Sequence, residues 1–199
     1  MEQSLQDLNM SYIDLYIVHW PGSFGKPPND PKHASIRKES WQALESMVDS
    51  GKVKSIGVSN YTVRHLEELL GYAKIKPVLN QFELHPCLYQ KKLVEFCEKH
   101  QILIQAYSSL GRNALLTTEY EQKYPFFKDI KAKYPRPFSQ ILLKWAIQHG
   151  WIILPKSKSP ARIQENFDLE GWELQQEDMK LLDSIGEAER FCWDPTNVA

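Results

Sequence analysis

The sequence predicts an α/β fold built on a parallel sheet. Strand-like and helix-like segments alternate along the chain, the strand segments are short apolar runs, and the helical segments carry apolar residues at helical spacing. Across 199 residues, 25% charged and 42% hydrophobic residues are the balance of one globular domain with a sizeable core. A formal charge of −1 gives no electrostatic reason for nucleic acid or an anionic membrane as partner. No apolar run approaches the ~20 residues that cross a bilayer. The opening MEQSLQDLNM lacks the basic start and apolar stretch of a signal peptide. Cys87, Cys97 and Cys192 are odd in number and have no metal-ligand spacing, so reduced thiols, a cytoplasmic location and no metal site are expected.

The elements follow in order. Residues 12–20 (YIDLYIVHW) read as a buried strand stopped by Pro21. A loop rich in Pro and Gly leads to a helix over 36–50 that turns Trp41, Leu44, Met47 and Val48 inward and stops at Gly51. Residues 55–59 are the second strand, and 62–73 its helix, with Leu66, Leu69 and Leu70 inward. The third strand, 78–84, ends at His85-Pro86 and precedes a helix over 90–100; the fourth strand is 102–107. A longer polar insertion separates it from a helix over 138–149 and a fifth strand over 151–155. Helices over 160–167 and 175–185 and a polar tail complete the chain. No internal repeat or low-complexity segment is present.

Alternating strands and helices suit either a doubly wound open sheet or a (β/α) barrel. No GxGxxG follows any strand, which weakens the dinucleotide-binding doubly wound form. Polar residues also gather where strands end: His19, Ser59-Asn60, Gln81, Tyr107-Ser108 and Lys156-Ser157. In a parallel barrel those ends share one face, and that face carries the site.

These segments are similar, in order, to the motifs of aldo-keto reductases. His19-Trp20-Pro21 within DLYIVHWP, Gly57-Val58-Ser59-Asn60, Asn80-Gln81 within NQFELHP, Ala106-Tyr107-Ser108, Leu154-Pro155-Lys156-Ser157 and PARIQEN over 160–166 carry the resemblance, which covers nearly the whole chain. It implies five C-terminal β/α units of a (β/α)8 TIM barrel, lacking the first three units. Residues 1–199 would form a partial, N-terminally truncated domain, with 187–199 as tail and substrate loop.

The resemblance assigns roles. His19 matches the active-site histidine, whose imidazole N–H can bond the substrate carbonyl oxygen. Trp20 matches a residue of the substrate pocket, with ordinary core packing as the equal alternative. Ser59, Asn60 and Gln81 match the trio that bonds the nicotinamide carboxamide, since amide side chains offer both donor and acceptor. Ser59-Asn60 also suit a strand-to-helix cap. Tyr107 matches the tyrosine that stacks on the nicotinamide, with Ser108 and Leu110 following it along the cofactor. Lys156, Ser157 and Arg162 match the group on the adenosine 2′-phosphate, and Glu165 and Asn166 the pair on the adenine amino group. Lys158 departs from the aliphatic or small residue common there. Cations at a helix start oppose its dipole, so the same group is either solvated surface or balanced by an anion. His65 and His100 read as solvent-facing, Glu83 and His85 as structural, and Cys87 and Cys97 as inert.

The family's general-acid tyrosine and its lysine and aspartate partners have no match in this chain. The implied activity is NADPH-dependent reduction of aldehydes or ketones, weak or absent in this chain by itself. The alternative is a non-catalytic remnant that binds NADP(H) or a partner. A small carbonyl substrate is the expected ligand; Trp20, Phe24, Phe191 and Trp193 would line its pocket if the tail folds over it. The family is usually monomeric, whereas open barrel edges would make this chain self-associate.

Overall fold

The computed structural model describes residues 2–199. Strands β1 (Ile13–Val18), β2 (Val53–Ser59), β3 (Leu79–Glu83), β4 (Leu103–Tyr107) and β5 (Ile152–Ile153) form one sheet in chain order. The pairs β1–β2, β2–β3 and β4–β5 are parallel. An order that never reverses has no topological switch point, which removes the doubly wound alternative. The fold is α/β, five β/α units of the (β/α)8 barrel type.

Helix α1 (Glu2–Leu8) precedes β1, α2 (Lys32–Asp49) follows it, and α3 (Val63–Tyr72) and α4 (Lys91–Lys99) follow β2 and β3. After β4 come a 3-10 helix (Gly111–Leu116), α5 (Thr118–Lys123), α6 (Phe126–Lys133) and α7 (Phe138–Gln148). After β5 come α8 (Pro160–Phe167) and α9 (Gln176–Asp183). Among the described residues no helix is long and apolar enough to cross a membrane. The chain forms two compact units: residues through Gln81 with Glu95–Leu103 and Asp194–Ala199, and Phe82–Val94 with Ile104–Trp193.

In the first unit Trp41, Val53, Ile56, Val58, Leu66, Leu69 and Leu79 make the core. Strand β1 is half-buried, not buried as expected, because it lies at the sheet's end and pairs with β2 alone among the described strands. Helix α2 starts at Lys32, and its buried stripe is His33, Arg37, Trp41 and Glu45. Leu44, Met47 and Val48 are only half-buried. The stripe is polar because each member bonds main chain elsewhere. His33 Nδ1 accepts from Ser23 N at 3.0 Å, and Arg37 donates to the Pro21 carbonyl at 3.0 Å. Trp41 donates to the Ile75 carbonyl at 3.1 Å, and Glu45 accepts from Lys74 N and Ile75 N at 2.7 and 2.9 Å. Arg37 also grips Glu68 through two bonds at 3.0 and 2.6 Å, joining α2 to α3.

His65 overturns its expected position: it is 1% exposed. Its Nδ1 accepts from Thr62 N at 3.2 Å at the start of α3, and its Nε2 bonds the Val198 carbonyl at 2.9 Å. Thr62-x-x-His65 is a capping box with histidine in the usual place of Glu or Gln. His100 is half-buried and stacks on Phe96 at 4.3 Å.

In the second unit α7 is buried on every side from Phe138 to Ala146, the mark of a central helix. The insertion after β4 is not the polar stretch expected. Its short helices bury Tyr120, Phe127 and Ile130, and Phe127 packs on Phe138 with centroids 4.8 Å apart. Helices this short carry too few turns to show a periodic stripe. Asp178, wholly buried, accepts from Lys133 at 2.7 Å and Tyr134 at 2.6 Å, tying α9 to the end of α6.

Candidate functional site

In the first unit the ends of β1 and β2 and the middle of β3 gather four of the predicted residues, His19, Ser59, Asn60 and Gln81. Pairing of Ser59 with Gln81 sets their register. Asn60 adopts φ +63°, which turns the chain after β2. Its amide nitrogen donates to the His19 carbonyl and to Ser59 Oγ, both at 3.0 Å. Its main-chain N–H donates to the Gln81 carbonyl at 2.7 Å. The Ser59 hydroxyl donates to the same carbonyl at 2.8 Å. Ser59 and Asn60 are buried, Gln81 and Trp20 half-buried and His19 exposed. The helix cap is Thr62, so Ser59 and Asn60 do not cap α3. Instead they tie the ends of β1 and β2 to the middle of β3 and leave the His19 side chain exposed.

In the second unit a cavity of about 450 Å³ is lined by Lys156, Ser157, Lys158, Arg162, Glu165 and Asn166, joined by Leu110, Asn113, Leu116 and Ser139. Ser159 caps α8 and Pro160 opens it, so the three cations flank a helix N-terminus. Ser157 Oγ accepts from Arg162 Nε at 3.4 Å and from Ser159 N at 3.1 Å. Ser139 donates to the Glu165 carboxylate at 2.8 Å. Among the described residues no ion pair engages Lys156, Lys158 or Arg162. A second cavity of about 400 Å³ is lined by Ser108, Ser109, Leu110, Arg112, Asn113 and Lys156, among others, and shares Leu110, Asn113 and Lys156 with the first. Arg112, Asn113, Ser109 and Ser139 were missed by sequence reasoning. The signal was weak, since Arg112 and Asn113 lie in left-handed backbone that only a folded loop reveals.

Tyr107 ends β4 half-buried, and burial pushes its phenol well above the ordinary value. Ser108 Oγ lies 3.3 Å from Cys192 Sγ. Glu83 and His85 are wholly buried and bonded to each other at 3.1 Å. The Glu83 carboxylate also accepts from the main-chain N–H groups of Phe191 and Cys192 at 2.8 and 3.1 Å. Burial raises its pKa, but the bonds from His85 and Phe191 outweigh it and hold the carboxyl below its usual value. Phe191 packs on the His85 ring at 5.2 Å. Phe24 and Trp193, expected to line a pocket, are 107% and 81% exposed.

Comparisons with known proteins give the family of the chain. The family model described as "Aldo/keto reductase family" matches residues 1–187. Glyoxal reductase of Bacillus subtilis is 41% identical over 99% of this chain and 65% of its own length. Aldose reductase B of Dictyostelium discoideum is 40% identical over 96% of this chain and 65% of its own. Among solved structures, an aldo-keto reductase from a Medee basin deep-sea metagenome library superposes with a TM-score of 0.83 at 32% identity, covering 100% of this chain and 68% of that one. An aldo/keto reductase from Brucella melitensis gives 0.80 at 38% identity, over 92% and 64%. The chain thus spans about two thirds of the length of the relatives it matches. This chain belongs to the aldo/keto reductase family.

Proposed function

We propose that the chain carries the NADP(H)-holding part of a site that reduces aldehydes and ketones to alcohols. The observation that carries this reading is the roughly 450 Å³ cavity lined by three cations, Lys156, Lys158 and Arg162, beside the Ser157 hydroxyl. Cations outside any ion pair at a helix start suit a phosphate ester, because its charge offsets both them and the helix dipole. Glu165 and Asn166 in the same wall offer acceptors for an amino-bearing ring.

When bound, the nicotinamide supplies the hydride. In the first unit Ser59, Asn60 and Gln81 would hold its carboxamide, and in the second the flat ring of Tyr107 would suit stacking. His19 donates a hydrogen bond to the substrate carbonyl oxygen and stabilises the charge that builds there. Glyoxal reductase and aldose reductase B, by their names, favour a small carbonyl compound as substrate.

The test is titration of the full chain with NADPH and with NADH, followed by tryptophan fluorescence. NADPH should bind more tightly, and K156A with R162A should remove the preference, roughly 10- to 100-fold for one or two charge-assisted bonds. Equal binding of both by the unaltered chain would overturn the reading. Turnover of a simple aldehyde then separates catalysis from binding alone.

A further inference from the structure

Leu110 and Asn113, in the wall shared by the two cavities, belong to the loop after β4, whose backbone is unusual. Ser108, Gly111, Arg112 and Asn113 have φ of 51°, 55°, 53° and 74°, the left-handed region that costs energy for every residue but glycine. Such a run persists only where something outside the loop holds it. Residues 190–192 are what lies against it. Cys192 Sγ meets Ser108 Oγ at 3.3 Å. Arg112 Nη1 reaches the Phe191 carbonyl at 3.5 Å. The Phe191 ring sits so close to Gly111 that a Cβ there would lie 2.7 Å from Phe191 Cε2.

Residues 190–192 are held in turn from below. The buried Glu83 carboxylate takes both consecutive N–H groups, of Phe191 and Cys192. Arg190 Nη1 stands 3.8 Å from the same carboxylate, while its Nη2 donates to Gln90 Oε1 at 3.3 Å. Gln90 donates to the Glu83 carbonyl at 2.9 Å, and His85 closes the other side of the carboxylate. An anion that accepts two main-chain N–H bonds out of solvent holds a segment without secondary structure by charge-assisted bonds, roughly twice as strong as neutral ones.

We propose that Glu83 is a positioning residue for the cofactor: through the main chain of Phe191 and Cys192 it holds the Ser108–Asn113 loop in its binding form. It does not touch the cavities itself. The inference rests on the cofactor reading above, and its test separates the two. Hydrogen exchange of residues 108–113 is compared between the full chain and its Glu83→Gln variant without ligand, and NADPH affinity is then measured for both. Glutamine keeps the size and removes the anion. Exchange in 108–113 should quicken about 10-fold or more while residues 62–69 stay unchanged, and NADPH should bind roughly 5-fold or more weakly.

Unchanged exchange in 108–113 would overturn the clamp. Faster exchange with equal NADPH affinity would overturn the positioning role. Faster exchange in a chain that never binds NADPH would uphold the clamp and remove the cofactor reading. If Glu83→Gln does not fold, Glu83→Asp keeps the anion but shortens its reach to the two N–H groups, and must give the same local quickening for the inference to stand.

Discussion

Replacing His65 by glutamine should flatten the acid side of this protein's stability profile. Burial lowers the imidazole pKa from 6.5 to about 4; the bond to the Val198 carbonyl opposes that shift, and the nearby Arg37 and Arg64 charges add to it. The folded chain therefore keeps His65 neutral where the unfolded chain protonates it. Between those two values the unfolded state binds more protons, so stability is full above about pH 6.5, falls as pH drops, and levels below about 4. From pH 7.5 to 5.0 the linkage amounts to about 2 kcal/mol, and to about 3.4 kcal/mol at its limit. Glu83 is held below 4.5, so its own contribution is lost only at lower pH, outside this interval. The assay is urea unfolding at the two pH values, read by tryptophan fluorescence. The unaltered chain should lose about 2 kcal/mol, and His65→Gln, whose amide can still donate to the Val198 carbonyl, about 0.5 kcal/mol or less. Equal losses in both would refute the assignment of a buried neutral histidine.

Two further outcomes are expected. Glu45→Ala should destabilise the chain by about 3 kcal/mol in urea, because the Lys74 and Ile75 N–H groups lose a buried anionic acceptor, and Glu45→Gln should recover most of that. A thiol reagent at pH 8 should modify Cys192 first, since burial pushes Cys87 up to about 11 and Cys97 up to about 12; three equally fast thiols would contradict the burial.

Much of the candidate site is legible as residue types at or near strand ends. His19, Ser59 and Asn60 stand at the ends of β1 and β2 and Gln81 within β3, and parallel pairing makes those positions neighbours, while Tyr107 closes β4. Lys156, Ser157, Arg162, Glu165 and Asn166 were legible for a local reason: one capped helix start, spanning few residues, brings them to one cavity. What escaped was set by contacts far along the chain. By sequence His65 reads as solvent-facing, because no local pattern shows the Val198 carbonyl arriving from 133 residues away. The inner face of α2 departs from its apolar pattern for the same reason, since Arg37 and Glu45 are buried by partners outside their own helix. Glu83 was recognised as structural, but its bonds to Phe191 and Cys192 span more than 100 residues and carry no sequence signal.

The sequence by itself determined the alternation of strands and helices, the ordered motifs of the family and the chemistry at each strand end, because periodicity and residue type are local properties. Only the tertiary structure decided that the sheet runs without a switch point, that the insertion after β4 is a packed aromatic cluster, and that a buried carboxylate holds the segment at 190–192 against a left-handed loop. Each of these depends on which distant groups meet out of water, where a hydrogen bond or an ion is worth enough to overrule local preference.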